Sequence, residues 1–303
     1  MIGGRVTEKS IHTRVLANLQ RNIAQGAKIQ DQLSSGKQLN RPSDSPAGTV
    51  SALQLRSEVR ASQQYTRNAD DGLNRLNTME DALSGSSALV NRVRDLTLQG
   101  LNTGTSSGLT KEALAAEVDQ IRGTLIAQAN TRYLDRPVFG GNAGTEAAYS
   151  PNGSYTGGEY VEGDAATSVS RTVGSGIKVR VDVTGPEAFG DGATGLFQVL
   201  SDISVSIRAG DSTGLQANLN SLDSAGDKLK SAVSEIGSRY NRITQMKDSA
   251  QDRLLSVTSQ LSDIEDIDLP KTIMDMQLHE TSYQAALAAT AKVIQPSLLD
   301  YLR

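Results

Sequence analysis

The sequence predicts a mainly α protein, in which long helices from both chain ends form an antiparallel helical bundle or coiled coil around a small inserted β-rich domain. Three observations predict this fold. Apolar residues recur at alternating spacings of three and four from Leu219 to Ile264, and shorter stripes of the same kind lie near both termini. Between Gly140 and Gly195 this period disappears and glycine becomes dense. A period of 3.5 residues places side chains on one narrow helical stripe, which suits packing against a partner helix.

The longest stripe is interrupted only at Gly226 and Lys247. Lys247 is predicted to face solvent, whereas Gly226 either fixes the register of the helices or also faces solvent. The members of the stripe are Leu222, Leu229, Val233, Ile236, Tyr240, Ile243, Ala250, Leu254, Val257, Leu261 and Ile264.

The terminal stripes are predicted to form an assembly interface, because a helix with one narrow apolar stripe must cover it. We expect the two ends of the chain to pair with each other, or additionally with copies of themselves. Glu280 is a weak place that is predicted to set the register, and Gln30 is left open between register and solvent. The predicted interface residues are Leu16, Leu19, Ile23, Leu33, Ile273, Met276, Tyr283, Leu287, Ile294, Leu298 and Leu302.

Caps and prolines predict where the terminal helices end. Thr7 is a plausible N-cap of the first helix, which should end at Gly36. Pro42 and Pro46 then predict a joint between domains, and Pro46 should be the first residue of the second helix. Pro270 marks the counterpart of this joint on the C-terminal side.

The remaining elements follow from composition. The second helix should run to about Gln99, and a third carries Leu114 to Leu125. Alternation at 177–183 predicts a strand, and helix resumes near Leu196. The predicted domains are a terminal coiled-coil domain of 1–40 and 270–303, a helical bundle of 41–140 and 196–269, and an inserted β-rich outer domain of 141–195.

The insert is predicted to contribute nothing to the helical stripes. In the alternative, it packs on the bundle and supplies part of the bundle core through Phe189 or Phe197. It holds seven acidic and three basic residues, which accounts for the formal charge of -4 of the whole chain.

Composition excludes several classes of function. The chain has no cysteine, so thiol catalysis, disulfides and cysteine-based metal sites are absent. No basic cluster with interleaved aromatic residues indicates a nucleic-acid surface, and no apolar run approaches the length of a membrane span. The start of the chain lacks the pattern of a cleaved signal peptide. The acids Asp70, Asp71, Asp263, Glu265 and Asp266 are interpreted as solvated helix faces.

Two short motifs suggest chemistry that their context does not support. Residues 190–195 match G-x-G-x-x-G, but six residues separate them from the preceding strand candidate and no second strand follows the next helix. His279 and Glu280 begin like a zinc-binding helix, but Tyr283 stands where a second histidine is needed. No enzyme, cofactor or metal site is therefore predicted.

Several blocks, in the right order, resemble bacterial flagellins and their relatives. The stretch 33–40, LSSGKQLN, is similar to the flagellin "LSSGxxIN" block, and 67–72 and 92–96 resemble the next two N-terminal blocks. Within that superfamily, RPSDSP at 41–46 resembles the "RPSDDP" of the hook-filament junction branch, and the ending from His279 is similar too. The block 130–141 departs from the family by an insertion at Asp135, Arg136 and Pro137.

The resemblance covers roughly 1–141 and 215–303, and it implies a structural role in the flagellum. Terminal helices would line the assembled tube, and the protein would be exported unfolded without a cleaved signal peptide. Implied partners are further copies in a ring-like layer, the first hook-associated junction protein, flagellin and an export chaperone, with no nucleic acid and no membrane. Flagellin itself is the nearest alternative, and a cytosolic coiled-coil adaptor is the alternative from another class.

Overall fold

The structure is a computed structural model that describes residues 8–102, 108–144, 146–158, 161 and 167–294, without the side chains of 8–12 and 292–294. It is mainly α, as the sequence predicts. The helices are α1 (Glu8–Ser35), α2 (Pro46–Asn102), α3 (Gly108–Ala129), α4 (Gly185–Phe189), α5 (Leu196–Ala209), α6 (Ser212–Glu265) and α7 (Leu269–Ile294). The strands are β1 (Arg132–Tyr133), β2 (Arg136–Pro137), β3 (Ser170–Gly174) and β4 (Ile177–Arg180), and Gly192–Thr194 is a turn of 3-10 helix.

The chain forms two compact units. Unit 1 comprises Met1–Arg60 and Leu254–Arg303, and unit 2 comprises Ala61–Arg253. The long helices α2 and α6 each contribute residues to both units. The three-domain division proposed above places its boundaries elsewhere and stays a prediction.

The predicted helix ends in unit 1 are confirmed where the structure describes them. Gly36 has φ of 69° and donates its amide hydrogen to the carbonyl of Gln32 at 2.9 Å, so it ends α1 in the left-handed conformation that glycine favours. Ser45 caps α2 by accepting from the Gly48 amide at 3.2 Å, with Pro46 as the first helical residue. Thr7 lies outside the described residues.

Unit 2 has one hydrophobic core to which helices and insert contribute together. Leu76, Leu125 and Leu200 of three helices lie in the same buried cluster as Val181 and Phe189 of the insert. This shared core favours the alternative in which the insert packs on the bundle, because burial of apolar surface is the dominant stabilising contribution to a domain.

Aromatic rings link the insert to helix α5. The Phe189 ring stacks on Phe197 at a centroid distance of 5.7 Å, and Tyr149 meets Phe197 edge to face at 4.8 Å. Phe139 packs on Phe189 at 5.2 Å, so all three phenylalanines of the chain lie in this one cluster. The Tyr149 hydroxyl donates to the carbonyl of Gly190 at 2.9 Å, which satisfies its buried polar end.

The insert contains less β structure than its alternation indicates. Strand β4 ends at Arg180, and Val181 to Val183 continue as irregular buried chain, although the sequence predicts a strand to 183. Asp182 sits at the alternating polar position yet is fully buried, where Arg180 Nε donates to its carboxylate at 2.6 Å. An ordinary edge strand keeps its polar side chains on a face that water reaches. Here the polar side chain is buried and paired, so the segment has no such face.

The two interruptions of the long stripe have different roles. Lys247 is half-buried and its ammonium lies 2.7 Å from Asp70 of α2, so the prediction that it simply faces solvent was wrong. At Gly226, an added Cβ would meet only Val90 of α2, at 3.7 Å, which leaves a shallow gap at this level of the helix pair. An ion pair between Arg94 and Asp223, at 2.8 Å, joins α2 and α6 beside that gap.

Candidate assembly surface

The end of α1 is joined to the α6–α7 turn in unit 1 by a short backbone pairing. The Gln38 amide donates to the Glu265 carbonyl at 2.6 Å, and the Ile267 amide donates to Gly36 at 3.2 Å. Lys37 and Asp266 thus form an isolated antiparallel bridge. We call this pairing, with the charges described next, the latch.

The latch is reinforced by a cluster of charged side chains. Lys37 Nζ lies 2.6 Å from Asp266 Oδ1 and 3.3 Å from Glu265 Oε2, and Arg56 Nε of α2 lies 2.6 Å from Glu265 Oε1. Glu265 is buried, so two cations offset the cost of removing its carboxylate from water. Ser262 also donates to Asp266.

Hydrogen bonding in the latch shifts the pKa values of two side chains in opposite directions. The hydrogen bond from Lys37, followed by that from Ser262, lowers the pKa of Asp266, and the hydrogen bond to Asp266 raises the pKa of Lys37. The interpretation of Glu265 and Asp266 as solvated faces was therefore wrong. A signal in the sequence could have identified this pair. Glu265 and Asp266 stand just before the break between α6 and α7, and Lys37 stands just after the end of α1.

Helices α1 and α7 pack along each other, as the terminal stripes predict. Most of their less exposed positions follow alternating spacings of three and four residues. Compared with the predicted stripes, every second position is shifted by one residue toward the N-terminus. We call these positions the inner seam. In α1 they are Val15, Leu19, Asn22, Gly26, Ile29 and Leu33, and in α7 they are Thr272, Met276, His279, Tyr283, Ala286 and Thr290.

Half of the inner-seam positions carry large apolar or aromatic side chains, and the other half carry small or polar ones. A Cβ added at Gly26 would stand 2.9 Å from Cε1 of His279, so the glycine makes room for the imidazole. His279 Nε2 is buried and has no hydrogen-bond partner among the described residues. Among the seam residues only Ile29, at 7% exposed, is buried, and the others are half-buried. The paired helices therefore gain little hydrophobic stabilisation from each other.

Other large apolar side chains of α1 and α7 are exposed to solvent. Leu16 and Ile23 of α1 are 59% and 53% exposed, and Ile273 and Leu287 of α7 are 43% and 41% exposed. We call these four residues the outer face. Exposed apolar side chains that repeat along a helix pair are typical of a protein interaction surface.

The structure thus divides the predicted interface residues into two sets. Leu19, Leu33, Met276 and Tyr283 are half-buried between α1 and α7, whereas the four residues of the outer face flank that contact and are 41–59% exposed. The side chains of Ile294, Leu298 and Leu302 lie outside the described residues. Glu280 and Gln30 are exposed in the single chain, so neither lies in the α1–α7 seam, and the expectation that Glu280 sets the register stays a prediction for contacts with other copies.

The three prolines lie at the predicted helix boundaries in unit 1, and their role as a joint between domains stays a prediction. Pro42 lies in the turn before α2, Pro46 begins α2, and Pro270 is the second residue of α7. Asp268 caps α7 by accepting from the Lys271 amide at 3.1 Å. Lys28 of α1 reaches Asp44 in the proline turn at 3.4 Å, so the joint is tied back to the first helix.

The G-x-G-x-x-G motif is a loop between two helices. Gly190 ends the short α4 with φ of 74°, and Gly195 precedes α5, so no strand leads into the motif as a dinucleotide site requires. Within the described ranges, no three His, Asp or Glu side chains are grouped closely enough to hold a metal ion. No helix in the described part of the chain is long and apolar enough to cross a membrane.

Comparison with known families matches both ends of the chain. The bacterial flagellin N-terminal helical region matches residues 7–141, and the bacterial flagellin C-terminal helical region matches residues 219–302. The unmatched stretch between them contains most of the insert.

Individual relatives match along nearly the whole chain. Flagellin of Bacillus subtilis (strain 168) is 24% identical over 99% of this chain and 100% of its own. Flagellar hook-associated protein 3 of Escherichia coli (strain K12) is 25% identical over 94% of this chain and 95% of its own.

Solved structures share the fold. A putative flagellar hook-associated protein from Vibrio parahaemolyticus superposes with a TM-score of 0.64 at 23% identity, over 74% of this chain and 100% of that one. FlgL of Bacillus cereus gives a TM-score of 0.58 at 21% identity, over 69% of this chain and 99% of that one. With both helical regions matched around a shared fold, the chain belongs to the bacterial flagellin family and is a structural component of the bacterial flagellum.

Proposed function

We propose that this chain forms the junction between the flagellar hook and the filament. Copies of the chain assemble as one ring-like layer, with the first hook-associated junction protein on the hook side and flagellin on the filament side. The chain acts as a structural element and not as an enzyme.

The observation that carries an assembly role is the outer face of α1 and α7. Leu16, Ile23, Ile273 and Leu287 are exposed in the single chain, and the apolar members of the inner seam, apart from Ile29, are only half-buried. Burying such side chains against other subunits contributes about 1.5–3 kcal/mol for each fully buried residue. The helix pair therefore gains most of its stability on assembly.

The joint sequence favours the junction over the filament. Pro42 and Pro46 reproduce the pattern of the hook-filament junction branch, and the hook-associated protein 3 of Escherichia coli aligns over 94% of this chain. Flagellin remains the second candidate, because the Bacillus subtilis flagellin aligns over the whole chain. Under either function we expect export through the flagellar apparatus without a cleaved signal peptide, with an export chaperone holding the chain beforehand.

Site-specific labelling on intact flagella distinguishes the two candidates. The chain has no cysteine, so Ser175→Cys in the exposed β3–β4 turn provides a unique attachment site for a maleimide dye. We expect one fluorescent spot at the base of each filament, with the cysteine-free parent chain unlabelled. Label along the whole filament would contradict the junction role and identify the chain as flagellin.

A further inference from the structure

A cavity of about 290 Å³ lies beside the β1–β2 hairpin of unit 2. Three of its lining residues are arginines, Arg75, Arg136 and Arg171, and none of the described residues that line it is acidic. A pocket with this excess of guanidinium groups attracts anions.

Arg75 is the buried member of the cluster. It is only 5% exposed, and its one hydrogen bond within the described residues runs from Nη2 to the carbonyl of Val138 at 3.0 Å. Its Nε is buried without an acceptor. Burial lowers the pKa of Arg75, which reflects the cost of holding a cation away from water.

The two acids nearest to Arg75 are already occupied. Asp71 accepts from Arg171 Nε at 2.6 Å through Oδ2 and from the Tyr133 hydroxyl at 3.1 Å through Oδ1. Asp182 accepts from Arg180 Nε at 2.6 Å and from the Val169 amide at 2.9 Å. Asp182 and Asp71 therefore act on Arg75 only through space, and within the described part of the chain neither Arg75 nor Arg136 forms a direct ion pair with a carboxylate.

The hairpin that carries Arg136 is held in a strained conformation. Its two central residues, Leu134 and Asp135, have φ of 48° and 60°, values that this two-residue turn demands and that glycine or asparagine usually supply. Leu134 is 74% exposed, so packing of its side chain does not offset the strain. The turn pairs Tyr133 directly with Arg136, which places both side chains on the same face, toward the cavity that both line. Strained turns are retained where they position a functional group.

We propose that this cavity is an oxyanion-binding site, in which Arg75, Arg136 and Arg171 together bind a carboxylate or a sulfate-like group. Guanidinium groups bind such oxygens through paired hydrogen bonds, and the unpartnered donors of Arg75 would then be satisfied. The oxyanion is supplied either by a free ion or by a carboxylate side chain of a neighbouring protein. This site is separate from the outer face and does not depend on the junction role.

The test is titration of the purified full chain with sodium sulfate and, separately, sodium malonate, at ionic strength held constant with sodium chloride. We expect a saturable rise in the melting temperature of unit 2 and a shift of the Arg75 Nε–H resonance in NMR spectra. In Arg136→Gln, at an exposed position, the saturable part should weaken at least tenfold. Arg242→Gln is the matched control, because Arg242 is equally exposed in unit 2 and lies outside the cavity.

Stabilisation that rises without saturation is the general salting effect of excluded anions and should be the same in all variants. A saturable response to malonate alone would show that the site selects carboxylates, the group that a neighbouring protein can supply, and a saturable response to sulfate alone would show that it selects a tetrahedral ion. Absence of any saturable response in the parent, or an equal saturable response in Arg136→Gln, would overturn the proposal. Circular dichroism confirms that each variant is folded.

Discussion

Gly26 is the residue on which the approach of α1 to α7 depends most directly. Its missing side chain leaves room for His279, whose Cε1 would stand 2.9 Å from an added Cβ. Two effects oppose each other in Gly26→Ala. Alanine stabilises a helix interior by about 1 kcal/mol relative to glycine, whereas overpacking costs roughly 1–3 kcal/mol.

Because the imidazole must move as a rigid ring, we expect the overpacking cost to win. Gly26→Ala should lower hydrogen-exchange protection of α1 amides by roughly three- to thirtyfold, and the double variant with His279→Ala should recover it. Gly123→Ala in α3 is the matched control, because nothing lies within 4 Å of its added Cβ. That change alone should stabilise unit 2 by about 0.5–1 kcal/mol. Equal effects of the two alanines would contradict the packing described for His279.

The charges of the latch predict a dependence on pH with a definite sign. Since the pKa of Asp266 is lowered from its ordinary 3.8, its contribution is present above that value and is lost as pH falls through the folded-state pKa. The raised pKa of Lys37 makes its contribution full below 10.5 and lost only as pH rises through the folded-state value. The ion pair in the latch should therefore stabilise it fully near neutral pH, and this stabilisation should be lost in acid.

The rates of amide hydrogen exchange at Gln38 and Ile267 report how often the latch opens, because these amides donate the hydrogen bonds of its backbone pairing. Glu265→Gln should speed their exchange about tenfold at pH 7, a loss of roughly 1–2 kcal/mol, while amides of unit 2 stay unchanged. Asp263→Asn, at an exposed position nearby, is the control and should change neither. Unchanged exchange in Glu265→Gln would show that the charges add nothing to the backbone pairing.

At the level of elements, the insert is part of the core of unit 2. Phe189 stacks on Phe197 of α5, and Val181 would lie 3.1 Å from a Cβ added at Gly72 of α2. Replacing residues 144–192 by a short Gly/Ser linker should therefore destabilise the helices around it. Retained helical circular dichroism with an unchanged melting temperature would instead restore the insert to an independent outer domain.

Truncation of a single side chain tests the same packing with a smaller change. Phe189→Ala should lower the free energy of unfolding of unit 2 by about 3–5 kcal/mol, because it empties a buried ring site. Ile177→Ala in the same insert should cost less than 1 kcal/mol, since this side chain is 38% exposed. Denaturant unfolding of the two variants makes the comparison, and equal losses would argue against a shared core.

The elements that the sequence predicted well are those with local causes. Ser45 with Pro46, and Gly36 in the left-handed conformation, mark helix ends without reference to the rest of the fold. The inner seam was misplaced by one residue because Leu16 and Ile23 are apolar yet exposed, while its true members include Gly26 and His279. A stripe of apolar residues shows that a face is covered in the assembly, and it does not show which neighbour covers it.

For the insert, the difficulty was a buried acid. The alternation of the sequence places Asp182 on the solvent side of a strand, but the side chain is fully buried and accepts hydrogen bonds from Arg180 and from the Val169 amide. The latch was missed for a related reason, since Lys37 and Glu265 are distant in sequence and each has an ordinary local interpretation.

At the scale of the whole molecule, the two units should differ in stability when the protein is free in solution. Most apolar side chains of the inner seam are only half-buried, and a helix that lacks tertiary packing gains little stability from propensity alone. We expect α1 and α7 to exchange their amides, and to be cleaved by a protease, before residues 61–253 are attacked. Cleavage within 61–253 while α1 and α7 stay intact would contradict this order.

The central claim is that the outer face of α1 and α7 joins subunits in the flagellum, and the most direct measurement is the fraction of cells that keep attached filaments when Leu287 is replaced by lysine. An unpaired charge in a dry interface costs several kcal/mol, but Leu287 is already exposed in the single chain, so the variant should fold and be secreted normally. Ser282→Lys is the control, with the same added charge about 140° away around the helix. The account predicts detached filaments with Leu287→Lys and attached filaments with Ser282→Lys. Normal filaments on cells that carry Leu287→Lys would contradict it.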